Sequence, residues 1–283
     1  MQSSNPVFSR SDGFNGRGST NAYGNQTYPG SGMTYPAYGS QPTPGPGGSP
    51  ATVDQGRMTL DTVVQKTGIT LALVVLSAAA TWYLTGDPSN RDDARTLMML
   101  WMGGAFAGLG LALVLSFKRE ISPGLVLTYA VVEGVFVGAM SKYFEAVFDD
   151  GIVVGAVLGT VAAVAGTLAA YKFFNIQVTP KFRKFVVAAM FGFVALVLLD
   201  FVLSFFDAQI GFNEFGTLGL VMSVVGLVIG IFMLILDFDF VERGVAAGLP
   251  EVESWRAAFG LTVTIIWIYI EILRILAILR GSD

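Results

Sequence analysis

The sequence predicts an all-α membrane protein with seven transmembrane helices that follow a long polar segment. Three observations predict this fold class. The 283 residues are 53% hydrophobic and 13% charged, whereas soluble domains carry roughly 25% charged residues. Seven apolar segments are long enough to cross a hydrocarbon layer of about 30 Å at about 1.5 Å per residue. The first of these segments begins only near residue 67.

Residues 1–57 are predicted to form a disordered cytoplasmic tail. The segment is rich in Gly, Pro, Ser and Tyr, so it cannot bury enough apolar surface to offset the entropy of ordering it. It has neither the basic start nor the apolar core of a signal peptide. A near-repeat, TYPG at 27–30 and TYPA at 34–37, leaves two interpretations open. A flexible tether is the simpler one, and binding of a membrane-protein partner is the other.

Residues 58–283 are predicted to form one transmembrane domain. Its spans are expected at 67–85, 95–117, 123–143, 152–172, 185–206, 215–240 and 256–279. The third span has a clear start, because Ser122 can act as an N-cap and Pro123 fits the first helical position. The sixth span continues as a helix beyond its apolar part until Gly248 and Pro250 end it.

The basic residues predict that the N-terminus is cytoplasmic and the C-terminus lies outside. With this orientation, the cytoplasmic flanks hold Arg57, Lys66, Lys118, Arg119, Lys172, Lys181, Arg183, Lys184, Arg243 and Arg256. The opposite flanks hold Arg91, Arg95, Lys142 and Arg280. An excess of Lys and Arg on the cytoplasmic side is the strongest sequence signal of orientation in helical membrane proteins.

Pairs of glycines spaced four residues apart predict close contacts between helices. They are Gly104 with Gly108, Gly134 with Gly138, Gly155 with Gly159, and Gly226 with Gly230. Small residues at this spacing let two helix backbones approach each other in a bilayer. We therefore expect a compact bundle.

The composition also excludes several functional classes. The chain has no cysteine and no histidine, so disulfides, thiol chemistry and the commonest metal ligand are ruled out. The last span has no lysine for a retinal Schiff base, and the acids are not arranged as in an intramembrane aspartyl protease. We expect no enzyme activity, no resident metal or cofactor and no nucleic-acid partner; the bilayer and cations are the expected partners.

Four acids lie in or near the apolar parts of the predicted spans, and one base lies at comparable depth. They are Glu133, Asp200, Asp237, Glu271 and Arg274. A charge near the bilayer centre costs about 2.5–3.5 kcal/mol on insertion scales, so such residues usually face the bundle interior and have a function. Glu133 lies about 15 Å into its helix, near the bilayer middle. Asp200 lies toward the outer end of its span, where an interfacial position is equally consistent with the sequence.

Asp237 and Glu271 are predicted to act as a proton-sensing gate. The sixth and seventh spans form an antiparallel hairpin, in which the two residues differ in depth by roughly 10 Å. If the carboxyls meet, both cannot stay ionised cheaply in a low dielectric, and one would retain its proton. The alternative is that Glu271 pairs with Arg274 one helical turn later. Glu133, Asp200 and Asp239 are the further candidates for an ion or proton path.

Several segments resemble the bacterial branch of the transmembrane Bax inhibitor motif family. The last two helices resemble it at 235–242 (ILDFDFVE), 255–261 (WRAAFGL) and 267–274 (WIYIEILR). The third helix resembles it at 122–124 (SPG) and 129–138 (YAVVEGVFVG). The resemblance covers about 57–280 and leaves out the tail.

The resemblance implies a bacterial inner-membrane protein whose last helix is central and wrapped by the other six. It also implies a proton-sensitive calcium leak that is gated by a carboxylate pair. Asp237 matches the sixth-helix aspartate of the family, whereas Glu271 stands where the family commonly has aspartate. The family's second-helix arginine has no counterpart within 97–117, so Arg274 or Arg95 would have to form the latch.

The leading hypothesis is therefore a pH-sensitive calcium or cation leak channel or transporter. Ca²⁺ fits because it prefers hard oxygen ligands, and carboxylates are the strongest ligands that the chain offers. The alternative is a membrane scaffold that does not transport ions. Such a scaffold would bind or regulate other membrane proteins through its glycine-rich faces and its tail.

Overall fold

The computed structural model describes residues 56–148, 151–174, 176–206, 208, 210–212 and 214–281. The predicted disorder of the tail concerns residues that lie almost entirely outside these ranges. The division of the chain into a tail and a transmembrane domain at residue 57 therefore stays a prediction.

Seven helices account for nearly all of the described residues. They are α1 (Leu60–Leu84), α2 (Arg91–Phe117), α3 (Pro123–Phe148), α4 (Ile152–Phe173), α5 (Pro180–Ser204), α6 (Thr217–Ala246) and α7 (Glu253–Gly281). All seven are long and apolar enough to cross a membrane, and the described residues contain no β-strand. The predicted all-α, seven-span fold class is confirmed.

The helices extend beyond the predicted spans because polar first turns are capped. Thr59 caps α1 and exchanges hydrogen bonds with Thr62, and Asn90 caps α2 by accepting a hydrogen bond from the amide of Asp92. Capping of this kind satisfies backbone amides that a helix start leaves unpaired. Hydropathy does not identify these polar first turns as helical. The predicted starts of α1 and α2 therefore lie several residues too late in the chain.

α7 is the most deeply buried of the seven helices. It packs directly against α1, α3, α4 and α6, whereas α2 packs along α3 and α5 packs along α6. α2 and α5 therefore form an outer layer on two inner helices. Four of the six other helices pack directly against α7. That all six wrap it stays a prediction.

All four predicted glycine pairs lie at helix contacts. A Cβ atom added at Gly138 would lie 2.5 Å from the carbonyl oxygen of Ala78, so a side chain there would separate α3 from α1. The other pairs face neighbouring helices in the same way: Gly104 meets Phe136, Gly159 meets Ile272, and Gly226 meets Glu271. Close helix packing is thus confirmed at the predicted positions.

The segment that leads into α1 is fixed to the α6–α7 turn. The Met58 amide donates a hydrogen bond to the Leu249 carbonyl at 2.8 Å, and the Glu251 amide donates to the Gly56 carbonyl at 2.6 Å. Lys66 on α1 forms an ion pair of 2.9 Å with the Glu251 carboxylate. These contacts join the start of the domain to its last hairpin.

Candidate functional site

A cavity of about 320 Å³ lies between α3, α5 and α7 and contains three of the predicted site residues. These are Glu133, Glu271 and Arg274, and we call the space the Glu133–Glu271 cavity. α5 packs closely only along α6, so a space remains where it passes α3 and α7. The wall from α5 is apolar and consists of Phe193, Val194, Val197 and Leu198. The polar groups are therefore concentrated on α3 and α7.

Glu271 is 5% exposed and points from α7 toward α6. A Cβ atom at Gly226 of α6 would lie 2.5 Å from Glu271 Oε1, so the absence of a side chain there makes room for the carboxyl. Ser223, one turn earlier on α6, also lies beside this carboxyl. No donor among the described residues is ideally placed for Glu271 Oε2, although the Ser223 hydroxyl lies within hydrogen-bonding reach of the carboxyl.

Arg274 is the only base that faces this carboxyl among the cavity residues. Its Nη1 atom lies 4.0 Å from Glu271 Oε2, and its Nη2 atom donates a hydrogen bond of 3.1 Å to the Phe212 carbonyl in the α5–α6 loop. Hydrogen bonds between nitrogen and oxygen are usually 2.7–3.2 Å long. Arg274 is thus hydrogen-bonded to the loop, and it compensates the Glu271 charge only from a distance.

Glu133 faces the same cavity from α3. The side chain is half-buried, and the Tyr129 hydroxyl lies within hydrogen-bonding reach of it. Its carboxyl also lies against Gly108 of α2, where an added Cβ atom would collide with Oε2. Glu133 therefore stands between the second helix and the cavity, near the middle of its own helix.

Asp237 lies outside the Glu133–Glu271 cavity and has a partner of its own. Thr264 of α7 donates a hydrogen bond of 2.6 Å to Asp237 Oδ2. Thr264 precedes Glu271 by seven residues, which corresponds to about 10 Å along the helix axis. The structure therefore does not bring the carboxyls of Asp237 and Glu271 together, and the depth offset that the sequence indicates is present.

Asp200 and Asp239 have structural hydrogen bonds. Asp200 is 3% exposed and accepts hydrogen bonds from the amides of Ile210 and Gly211, at 2.8 and 3.2 Å. Asp239 accepts from Arg183 at 2.7 Å and from Arg243 at 2.9 Å. Asp200 thus holds the loop after α5 in place, and Asp239 joins α5 to α6. Neither lines the Glu133–Glu271 cavity.

Several functional neighbours have no counterpart among the sequence predictions. Thr264, Ser223 and the Phe212 carbonyl are the partners or close neighbours of the predicted acids and of Arg274. The hydroxyl-bearing residues on the buried face of α7 were the sequence signal that could have identified Thr264 as a partner. Thr262 and Tyr269 on the same face also form hydrogen bonds to other helices. Thr262 pairs with Thr70 at 2.8 Å, and Tyr269 pairs with Ser141 at 2.6 Å.

Comparison with known proteins identifies the family. A relative from Chlamydia muridarum (strain MoPn / Nigg), described as an uncharacterized protein, is 29% identical over 154 residues. The match covers 53% of this chain and 62% of the relative, which is less than two thirds of that protein's length. The family model described as Bax inhibitor 1 like matches residues 5–281. The chain therefore belongs to the Bax inhibitor 1 like family of multi-pass membrane proteins.

Proposed function

We propose that this protein is a pH-sensitive cation leak channel or transporter, with Ca²⁺ as the leading ion. One observation carries the proposal: a carboxyl that is 5% exposed, Glu271, faces a cavity that also contains Glu133. Ionisable groups at this depth in a helix bundle usually mark an ion or proton path. Membership in the Bax inhibitor 1 like family is consistent with this reading.

The charge balance of the cavity favours cations over anions. Two acids face one base, and the Tyr129 hydroxyl adds an uncharged oxygen to the lining. Carboxylates and hydroxyls are hard oxygen ligands of the type that Ca²⁺ prefers. The apolar wall from α5 lowers the local dielectric, so each of these charges acts more strongly than it would in water.

Protons would regulate this path through the same carboxyls. Protonation of Glu271 or Glu133 removes the negative charge that attracts a cation, whereas Arg274 keeps its positive charge. Flux should therefore fall as the pH falls. Asp237 lies at a different depth in the bundle, where its hydrogen bond with Thr264 links α6 to α7. A change in the protonation of Asp237 alters that hydrogen bond.

The proposal is tested by Ca²⁺ entry into liposomes that contain the purified chain and a Ca²⁺-sensitive dye. Glu271→Gln and Asp237→Asn keep the side-chain shapes and remove the charges, so both should reduce the flux several-fold. Glu120→Gln is the matched control, because Glu120 is exposed in the α2–α3 loop. Flux that is unchanged in both buried variants at every pH would contradict the proposal. Absence of flux from folded wild-type protein would instead favour a scaffold.

A further inference from the structure

A second cavity, of about 520 Å³, lies between α1 and α4, and we call it the α1–α4 groove. These two helices make no close backbone contact along their described lengths, so α3 and α7 form the floor between them. The walls carry exposed side chains, among them Val75 on α1 and Val154 on α4, whereas Ser141 and Tyr269 on the floor are buried. In a chain of seven membrane-spanning helices, the groove therefore opens toward the bilayer.

The groove extends from one membrane face to about the middle of the bilayer. Tyr83, Glu145 and Val153 lie at the ends of α1, α3 and α4 that meet at this face. On α1 the lining runs from Leu71 to Tyr83, a distance of about 18 Å at 1.5 Å per residue. Half of a hydrocarbon layer is about 15 Å thick. The groove therefore has the depth of one lipid leaflet.

The polar groups of the groove already have partners within the protein. The Ser141 and Tyr269 hydroxyls share a hydrogen bond of 2.6 Å, and the Thr160 hydroxyl donates to the Ala156 carbonyl at 2.7 Å. At the membrane face, Glu145 accepts a hydrogen bond of 2.9 Å from an amide in the first turn of α4. A water molecule needs two to four polar partners in a cavity. The lining therefore favours an apolar occupant over water or an ion.

The size of the groove favours a thin occupant over a helix. A helix about 10 Å across and 18 Å long takes up about 1,400 Å³. The groove provides about 520 Å³. A helix of a partner protein could cover the opening but could not fill the space down to the floor. A lipid acyl chain is only one methylene group wide, so it can reach Ser141 and Tyr269 from the bilayer.

The mouth of the groove carries both signs of charge. The Lys142 ammonium donates a hydrogen bond of 2.7 Å to the Trp82 carbonyl, and Asp87 lies close to this ammonium. Glu145 supplies a second carboxylate in the lining. Trp82 and Tyr83 are aromatic residues of the kind that lies at the level of lipid headgroups. A zwitterionic headgroup complements both signs, whereas an anionic headgroup would meet two carboxylates and one ammonium.

We propose that the α1–α4 groove binds one acyl chain of a zwitterionic phospholipid, whose headgroup lies at Lys142, Asp87 and Glu145. The lipid comes from the leaflet on the side of the α1–α2 and α3–α4 loops. Its chain contacts α7 at Tyr269, two residues from Glu271 and on nearly the opposite side of the helix. Lipid binding requires no ion passage, so this site does not rest on the proposed function.

The test is native mass spectrometry of the full-length chain from micelles that contain equal amounts of phosphatidylethanolamine and phosphatidylglycerol with the same acyl chains. Wild type should retain one phosphatidylethanolamine. Ala79→Phe places a ring in the groove and should reduce the retained fraction about tenfold or more. Val157→Phe fills the groove from the α4 wall and should have the same effect. Ala80→Phe is the matched control, because Ala80 is exposed and does not line the groove. Thermal unfolding verifies that each variant is folded.

Three outcomes would overturn the proposal. The first is a folded wild type that retains no lipid, or equal retention in wild type and both groove-filling variants. The second is preferential retention of phosphatidylglycerol, which would contradict the zwitterionic headgroup. The third is a second copy of the chain that is bound in place of lipid and lost in Ala79→Phe, which would make the groove an interface between copies.

Discussion

Asp237 and Glu271 occupy chemically different environments, although both lie in the α6–α7 pair. Asp237 accepts a short hydrogen bond from Thr264, whereas Glu271 lines the Glu133–Glu271 cavity with the Ser223 hydroxyl beside it and Arg274 Nη1 4.0 Å away. A carboxyl with a donor contributes mainly to helix packing. A carboxyl that lines a cavity is accessible to what enters that cavity. We expect substitutions around Asp237 to affect stability first, and substitutions at Glu271 to affect ion passage first.

Thr264→Val should lower the stability of the domain by about 1–3 kcal/mol. The substitution keeps the shape of the side chain and removes the donor to Asp237, which leaves a buried carboxyl without that partner. Thermal unfolding in detergent micelles measures the effect. Thr128→Val is the matched control, because Thr128 is exposed and bonds only to the carbonyl of Gly124 on its own helix. Equal unfolding temperatures for the two variants would contradict the assigned role of Thr264.

At the level of the element, the α6–α7 hairpin shows how far the sequence predicts the site. The contact between Glu271 and Arg274 is local to one helix, so the spacing of three residues already indicates it. The partner of Asp237 depends on the register between two helices. In this register, Gly226 lies opposite Glu271 and Thr264 lies opposite Asp237. Hydrophobic periodicity cannot give it, because apolar side chains are compatible with several registers.

The existence of the seven helices, unlike the register between them, could be predicted from the sequence. Each span is a long apolar run, and a bilayer leaves the backbone of such a run no alternative to helical hydrogen bonding. The close helix contacts at the glycine pairs could also be predicted, because the spacing of four residues places both glycines on one face of a helix. The layering of α2 and α5 outside the inner helices was not predictable, because it depends on which faces meet in three dimensions. The cavity follows from that layering.

Gly138→Ala should destabilise the α1–α3 contact by about 1–3 kcal/mol, because the new methyl group would overlap the backbone of Ala78. Gly110→Ala is the control at a helical glycine that has open space around it. It should be neutral, or stabilising by up to about 1 kcal/mol through its higher helix propensity. Thermal unfolding compares the two variants. A Gly138→Ala variant as stable as Gly110→Ala would show that α1 and α3 are not in close contact.

At the level of the whole molecule, the distribution of basic residues predicts an inside N-terminus, and the chain allows a clean test of it. Wild type contains no cysteine, so a single introduced thiol is the only site for a maleimide. Ser89→Cys in the α1–α2 loop should react with a membrane-impermeant maleimide in intact cells. Glu120→Cys in the α2–α3 loop should react only after lysis. The reverse pattern would mean that the bundle has the opposite orientation.

The arrangement of the whole bundle places one buried carboxyl, Glu271, where an inner helix meets a cavity that an outer helix leaves open. The central claim is that this carboxyl makes cation passage sensitive to pH. The most direct measurement is the ratio of Ca²⁺ flux at pH 8 to that at pH 6 in liposomes, for wild type and for Glu271→Gln. We predict a ratio well above one for wild type and a much smaller ratio for the variant. The same ratio in both proteins would contradict the claim.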